Sequence, residues 1–258
     1  MIPTLDFPKA AGACGAAFLA GAINSVAGGG TLVSFPVLIW LGLGSVTANA
    51  TSTVAIWPGT VGSAWGYRRE MAGVEAGFWA MIVPSLCGGL VGALLLRSTP
   101  QTVFDRLVPY LILFATLLFM AQEPVQRALK TGEAKTRHST KWFVSGLLFQ
   151  LAVGLYGGYF GAGIGILMLA ALSILGLKDI HEMNSLKVVL GGSINGIASV
   201  YFIWARMVYW PYVLMMAVAA IAGGYFGAGT ARRLGQAMVR RIVIGIGFAM
   251  AISLFLKR

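Results

Sequence analysis

A chain of 258 residues that is 58% hydrophobic, only 10% charged and carries 35 glycines is too apolar for a soluble domain of that size. Several uncharged runs reach about 17–22 residues, the length a helix needs to cross a bilayer. The formal net charge of +11 comes from Lys and Arg in the short gaps between those runs, which reads as membrane anchoring and argues against a nucleic-acid partner.

The runs are continuous and not alternating, which argues against a β-barrel. The fold class is all-α and polytopic. Cys14 and Cys87 fall inside apolar runs and read as small packing residues. Lys9 followed by an apolar run loosely fits a signal peptide, but the run has a counterpart at about 142–158 and is read as mature structure.

In chain order, the first apolar run covers about 10–27 and breaks at Ala27-Gly28-Gly29-Gly30. The second, about 31–44, holds Pro36 and ends at Gly42-Leu43-Gly44; the third, about 47–66, closes on Tyr67-Arg68-Arg69-Glu70. The fourth, about 74–96, carries Pro84 and Gly88-Gly89 and stops at Arg97, and the fifth, about 103–121, opens around Asp105-Arg106. The stretch 122–141 is the one sustained polar segment, with Glu123, Arg127, Lys130, Glu133, Lys135, Arg137, His138 and Lys141, and reads as a cytoplasmic loop. The second half repeats the plan at about 142–158, 164–177, 183–205, 208–230 and 236–256. This divides the chain into a first transmembrane repeat, 1–121, a basic linker, 122–141, and a second repeat, 142–258.

The repeat extends to single residues. Gly21 matches Gly154, Gly28-Gly29-Gly30 matches Gly161-Ala162-Gly163, and Thr51 falls opposite Ser185. Gly88-Gly89-Leu90-Val91-Gly92-Ala93 matches Gly223-Gly224-Tyr225-Phe226-Gly227-Ala228. With the linker inside, Arg68, Arg69, Lys178, Arg232, Arg233, Arg240 and Arg241 also lie inside, and Arg97, Arg106 and Arg206 outside. The densest basic clusters then face the cytoplasm, so the repeats are expected to be inverted, with both termini outside. Parity leaves one choice open. The first two runs of each half are either two full crossings or one re-entrant helical hairpin.

Each glycine stretch sits between short apolar runs and precedes a polar cluster. Glycine lets the backbone leave helical geometry and expose amide N–H groups, which a membrane protein tolerates only where protein or a water-filled cavity satisfies them. Broken helices at a repeat interface are the usual construction of a transporter site. The expected substrate-binding residues are Asn24, Gly28, Gly29, Gly30, Thr31, Asn49, Thr51 and Thr53 from the first half. Gly161, Gly163, Asn184, Ser185 and Lys187 are expected from the second, with Asn195 as a further donor. Close helix packing is the competing account of the glycines, and interhelical hydrogen bonding that of the hydroxyls and amides. Lys187 lies inside an expected membrane helix opposite the neutral Thr53. It either neutralises a bound anion or snorkels to the surface.

Asn24-Ser25-Val26-Ala27-Gly28-Gly29-Gly30-Thr31, Pro36, and Ala48-Asn49-Ala50-Thr51-Ser52-Thr53 together resemble the sulfite exporter TauE/SafE family of membrane permeases. Gly157-Gly158-Tyr159-Phe160-Gly161-Ala162-Gly163-Ile164-Gly165, followed by Asn184-Ser185-Leu186-Lys187, is similar to that family's second repeat. The resemblance covers about 10–256. It implies a permease of the bacterial inner membrane that exports a small sulfur-containing anion, sulfite or an organosulfonate. Tyr159 and Phe160 stand where the first copy has Val26 and Ala27, so unequal contributions from the halves are expected.

No acidic residue falls in the middle of an expected span, so no buried carboxylate relay is visible; His138 and His181 fall in loops. An enzyme is not expected, because no nucleophile–base or metal-ligand set is apparent, and no cofactor is implied. No P-loop occurs, which argues against intrinsic ATP use. The expected partners are a small anionic substrate and the lipid bilayer. Uptake by the same fold and a non-transporting scaffold are the alternatives.

Overall fold

A computed structural model describes residues 6–26, 29–66, 68–131, 140–175, 177, 180–234 and 236–256. Every regular element within them is helical. The first half gives α1 (Phe7–Val26), α2 (Thr31–Trp40), α3 (Ser45–Gly66), the single turn α4 (Arg68–Met71), a 3₁₀ stretch (Ala76–Met81), α5 (Ile82–Ser98) and α6 (Gln101–Thr131). The second gives α7 (Thr140–Tyr159), α8 (Ile164–Ile174), α9 (Ile180–Trp204), α10 (Trp210–Leu234) and α11 (Gln236–Leu256).

α2 and α8 have 10 and 11 residues, so each is roughly 15 Å long, about half the apolar thickness of a bilayer. Each folds back along the helix before it. A Cβ on Gly30 would overlap the Ala20 carbonyl, and one on Gly12 would touch Leu41, so α2 runs antiparallel to α1. In the second half Gly157 lies against Ile164 and Gly146 against Leu175. Both pairs are therefore helical hairpins, with tips near 29–30 and 160–163. α2 stops where Gly42 turns left-handed at φ +98°. The Leu43 N–H then bonds the Leu38 carbonyl at 3.1 Å, and the Gly42 N–H bonds Ile39 at 3.0 Å. This glycine-capped ending satisfies the last carbonyls and aims the chain into α3.

One expectation changes. The polar stretch after residue 121 is not all loop, because α6 continues to Thr131 through Pro124. Its charges mark the end of the apolar span and not the end of the helix. Residues 132–139 of that linker lie outside the described residues.

The two sequence halves interleave. α1 packs on α10 while α7 packs on α5; α3 packs on α10 while α9 packs on α5; α2 touches α11 while α8 touches α6. The third helices, α3 and α9, meet each other, as do α6 and α11. These contacts come in pairs, one for each half, whereas α3–α6, α10–α11 and α4–α9 do not. The closest crossings are made by glycine: a Cβ on Gly21 would overlap the Ala220 carbonyl, and one on Gly88 would overlap the carbonyl of Leu151. Small residues let helix backbones approach where lipid gives no hydrophobic incentive to associate.

The outer surface is apolar, unlike that of a soluble protein, and several polar side chains lie within the apolar core. Asn49, Thr51, Ser52, Gln150 and Ser185 are buried, while Val83, Leu86, Leu90 and Leu94 of α5 and Leu214, Val218 and Ile221 of α10 face outward. Among the described residues three segments, Ala76–Ser98, Gln101–Ala121 and Glu182–Trp204, are long and apolar enough to cross a membrane. One end of the bundle gathers Arg97, whose guanidinium bonds the Tyr201 hydroxyl at 3.2 Å and lies over the Trp204 ring.

Candidate functional site

The two hairpin tips and the two third helices enclose a cavity of about 110 Å³, several times the ~15 Å³ needed to admit one water. Its wall takes Asn24, Gly29 and Thr31 from the first hairpin and Gly161, Gly163, Ile164, Gly165 and Met168 from the second. α3 gives Ile56, Gly59 and Thr60; α9 gives Lys187, Val188, Gly191, Gly192 and Asn195. Gly21 of α1 with Ala220 and Gly224 of α10 complete it.

The tips owe their shape to glycine. Gly29, Gly161 and Gly163 have φ of +95°, +82° and +80°, a region that side chains with a Cβ enter only with strain. An internal hydrogen bond holds each turn: the Gly30 N–H donates to Asn24 Oδ1 at 2.7 Å, and the Tyr156 hydroxyl donates to the Ala162 carbonyl at 2.7 Å. The turns place the first residues of α2 and α8 at the cavity wall, so the positive ends of both helix dipoles approach the same space.

Among the described residues Lys187 is the one charged side chain in that wall. Its Nζ donates to Asn184 Oδ1 at 2.9 Å, and its stem lies against Gly165 of the second tip. No Asp or Glu belongs to the described wall. Among the described residues no cluster of His, Cys, Asp and Glu could hold a metal ion. One ammonium, helix N-termini and amide and hydroxyl donors, with no carboxylate to oppose them, make a space suited to an anion.

Of the residues singled out in the sequence, Asn24, Gly29, Thr31, Gly161, Gly163 and Lys187 meet at the cavity. Gly30 stands behind it, against α1, and Gly28 lies outside the described residues. The remaining five are not in the wall. Asn49 Nδ2 donates to the Tyr159 carbonyl at 3.0 Å, tying α3 to the end of α7. Thr51 Oγ1 accepts the Tyr209 N–H at 3.0 Å, at the start of α10. Thr53 and Ser185 bond carbonyls of their own helices, those of Asn49 at 2.9 Å and Glu182 at 2.8 Å. Asn184 reaches the cavity only through Lys187. Buried polar groups in a membrane bundle must find partners within it, and four of these side chains find theirs in backbone groups.

Sequence reasoning missed Gly59, Thr60, Gly191, Gly192 and Gly224. The signal that could have found them is glycine inside an otherwise unbroken helix, which usually has a packing or functional reason. Trp57 stands behind the wall: its indole N–H donates to the Gly192 carbonyl at 3.0 Å, and its ring lies beside Gly196. Toward the Arg97 end of the bundle, Phe35 meets Phe160 edge-on with ring centroids 5.4 Å apart, and Phe104 meets Tyr159 at 5.5 Å.

No solved structure matches this chain significantly. A probable membrane transporter protein of Haemophilus influenzae is 26% identical to it, over 90% of this chain and 89% of that protein. The probable membrane transporter protein YfcA of Escherichia coli K12 is 24% identical over 92% and 86%, respectively. The probable membrane transporter protein YunE of Bacillus subtilis is 25% identical over 88% and 91%. The sulfite exporter TauE/SafE family matches residues 13–254. With its helical bundle, apolar exterior and central cavity, the chain belongs to that family and is a membrane transporter, not an enzyme.

Proposed function

We propose that this transporter exports a small sulfur-containing anion, sulfite or an organosulfonate, across the bacterial inner membrane. The observation that carries this is the position of Lys187 in a cavity bounded by both glycine tips, with no carboxylate in its described wall. Lys187 supplies the counter-charge, while the tip backbone, Asn24, Thr31 and Asn195 supply donors. Neutral donors hold an oxyanion with less commitment than a second cation would, which lets it leave again. Asn49, Thr51, Thr53, Asn184 and Ser185 act as the frame that holds these groups.

Alternating access follows if the chain is two inverted repeats, 1–121 and 142–258, joined by the cytoplasmic segment 122–141. The paired contacts α1–α10 with α7–α5, and α2–α11 with α8–α6, support that reading, because a two-fold axis through the cavity would generate them. Each hairpin packs on helices of the other half, so rocking one half against the other would open the cavity to alternate sides. The inside-negative potential favours anion exit by about 2.3 kcal/mol per charge at 100 mV.

The test is flux of labelled sulfite into liposomes holding the purified protein, with and without an imposed positive-inside potential. Saturable uptake that the potential accelerates, and that simple sulfonates inhibit, is the expected result. Absence of sulfite and sulfonate flux in both conditions would remove this anion class.

A further inference from the structure

Nine glycines belong to the cavity wall, and they divide into two kinds. Gly29, Gly161 and Gly163 need a left-handed backbone, Gly21 needs room for the Ala220 carbonyl, and Gly165 faces the Lys187 stem at 3.2 Å. Gly59, Gly191, Gly192 and Gly224 have none of these reasons. They lie inside α3, α9 and α10 with ordinary helical backbone. A Cβ on Gly59 would meet nothing within 4 Å, and one on Gly191, Gly192 or Gly224 would meet its nearest neighbour at 3.9, 3.6 or 3.9 Å. Glycine inside a helix is destabilising relative to alanine, so these positions forgo stability without gaining a close crossing. At Gly88, Gly92, Gly158 and Gly223 glycine makes room for a neighbouring backbone; at these four positions of the wall it leaves space in the cavity.

We propose that Gly191, Gly192, Gly224 and Gly59 are the size-determining residues of the substrate cavity, which keep it wide enough for a sulfonate with a carbon chain. This rests on the transport of small sulfur anions proposed above. The division of labour is then physical. Lys187 and the tips bind the charged head that all these anions share, and the missing side chains leave room for whatever is attached to it. A cavity of about 110 Å³ is roomy for sulfite, a four-heavy-atom ion, and the surplus is bounded by these glycines. A methyl group at each position would project into that surplus without disturbing the backbone or the charged end.

The experiment uses the full-length protein in liposomes, with labelled sulfite as the transported probe and methane-, ethane-, propane- and butanesulfonate as competitors. Gly191→Ala, Gly192→Ala and the pair are compared with the unaltered protein. The expected result is a size-graded loss. The ratio of half-inhibiting concentrations, propanesulfonate over methanesulfonate, rises at least tenfold in the pair, and the thermal midpoint in detergent stays level or rises. Gly224→Ala, on another helix, should move the ratio the same way and keeps the test alive if the α9 pair folds poorly. An unchanged ratio in folded variants overturns the inference while leaving transport of the anion class standing. Absence of flux and of competition in the unaltered protein overturns both.

Discussion

Asn24 Oδ1 accepts the backbone N–H of Gly30 at 2.7 Å, bridging the break between α1 and α2. The bond satisfies an amide that the left-handed turn at Gly29 takes out of helical pairing, and Gly30 itself is wedged against the Ala20 carbonyl. Asn24→Ala leaves that amide without an acceptor in a partly buried position, which costs about 1–3 kcal/mol. The expected outcome is a lowered thermal midpoint together with reduced flux. Asn24→Asp separates the two effects: it keeps the acceptor, so the midpoint recovers, but it adds a negative charge to the cavity wall, so anion flux does not. A variant in which stability and flux recover together would show that Asn24 faces no anion.

Thr51 is a polar residue of α3 whose place the sequence alone assigns poorly. Its hydroxyl oxygen accepts the Tyr209 N–H at 3.0 Å, at the start of α10 where backbone amides lack helical partners. Thr51→Val removes that acceptor at nearly constant shape and is expected to lower stability by about 1 kcal/mol, the usual effect of losing a helix cap. Because Thr51 is not in the cavity wall, KM for the anion should stay level while yield and thermal midpoint fall. A large rise in KM with unaltered stability would place Thr51 in the substrate path instead.

What the sequence made legible follows from what its periodicities encode. Uninterrupted apolar runs announce helices in lipid, and the two glycine stretches announce the breaks, so the helical fold and both tips were readable. The choice between full crossings and hairpins was not, because both give the same sidedness; the ten-residue length of α2 and the contact of Gly30 with Ala20 decide it. The polar cluster Asn49–Thr53 reads as a substrate site because a second cluster, Asn184–Lys187, stands at the matching repeat position. That argument does not say whether the cluster's partner is a ligand or another helix. Gly191 and Gly192 carried a signal that was passed over, since glycine in a membrane helix ordinarily reads as a close crossing.

The interleaving of the halves makes a paired prediction. Gly223 in the α1–α10 crossing and Gly88 in the α5–α7 crossing occupy matching roles, against the carbonyls of Phe18 and Leu151. Alanine at either position forces backbones apart, and overpacking of this kind costs about 1–3 kcal/mol or more. Gly223→Ala and Gly88→Ala should lower the thermal midpoint to a similar degree, measured on purified protein in one detergent. Severe loss for one and none for the other would mean that the two crossings do not share the load.

Arg206 is the only non-glycine residue of the described chain with positive φ, at 56°. It follows α9 in the position a glycine usually takes, with the Met207 N–H bonded to the Phe202 carbonyl at 3.0 Å. The left-handed conformation costs an ordinary residue about 1–2 kcal/mol. Arg206→Gly should therefore raise the thermal midpoint by relieving strain, partly offset by the greater freedom of glycine in the unfolded chain. A fall in the midpoint would mean that the Arg206 side chain contributes more than its backbone loses.

Lys187 separates the anion reading from a purely structural one. Its ammonium belongs to the cavity wall, bonded to the neutral Asn184 Oδ1 at 2.9 Å. Lys187→Gln keeps a side chain that can still reach Asn184 but removes the charge. If the ammonium holds the substrate, the loss is that of a charge-assisted hydrogen bond, about 1.5–3 kcal/mol, and KM for sulfite rises about 10- to 100-fold. Lys187→Arg keeps the charge on a bulkier head, so KM should rise less than in the glutamine variant, while the planar fork crowding Gly165 slows turnover. Lysine that merely anchors α9 predicts the opposite pattern, in which glutamine lowers protein yield and leaves KM level. Concentration dependence of flux, measured on equal amounts of folded protein, distinguishes the two, because a change confined to yield then alters neither KM nor the maximal rate.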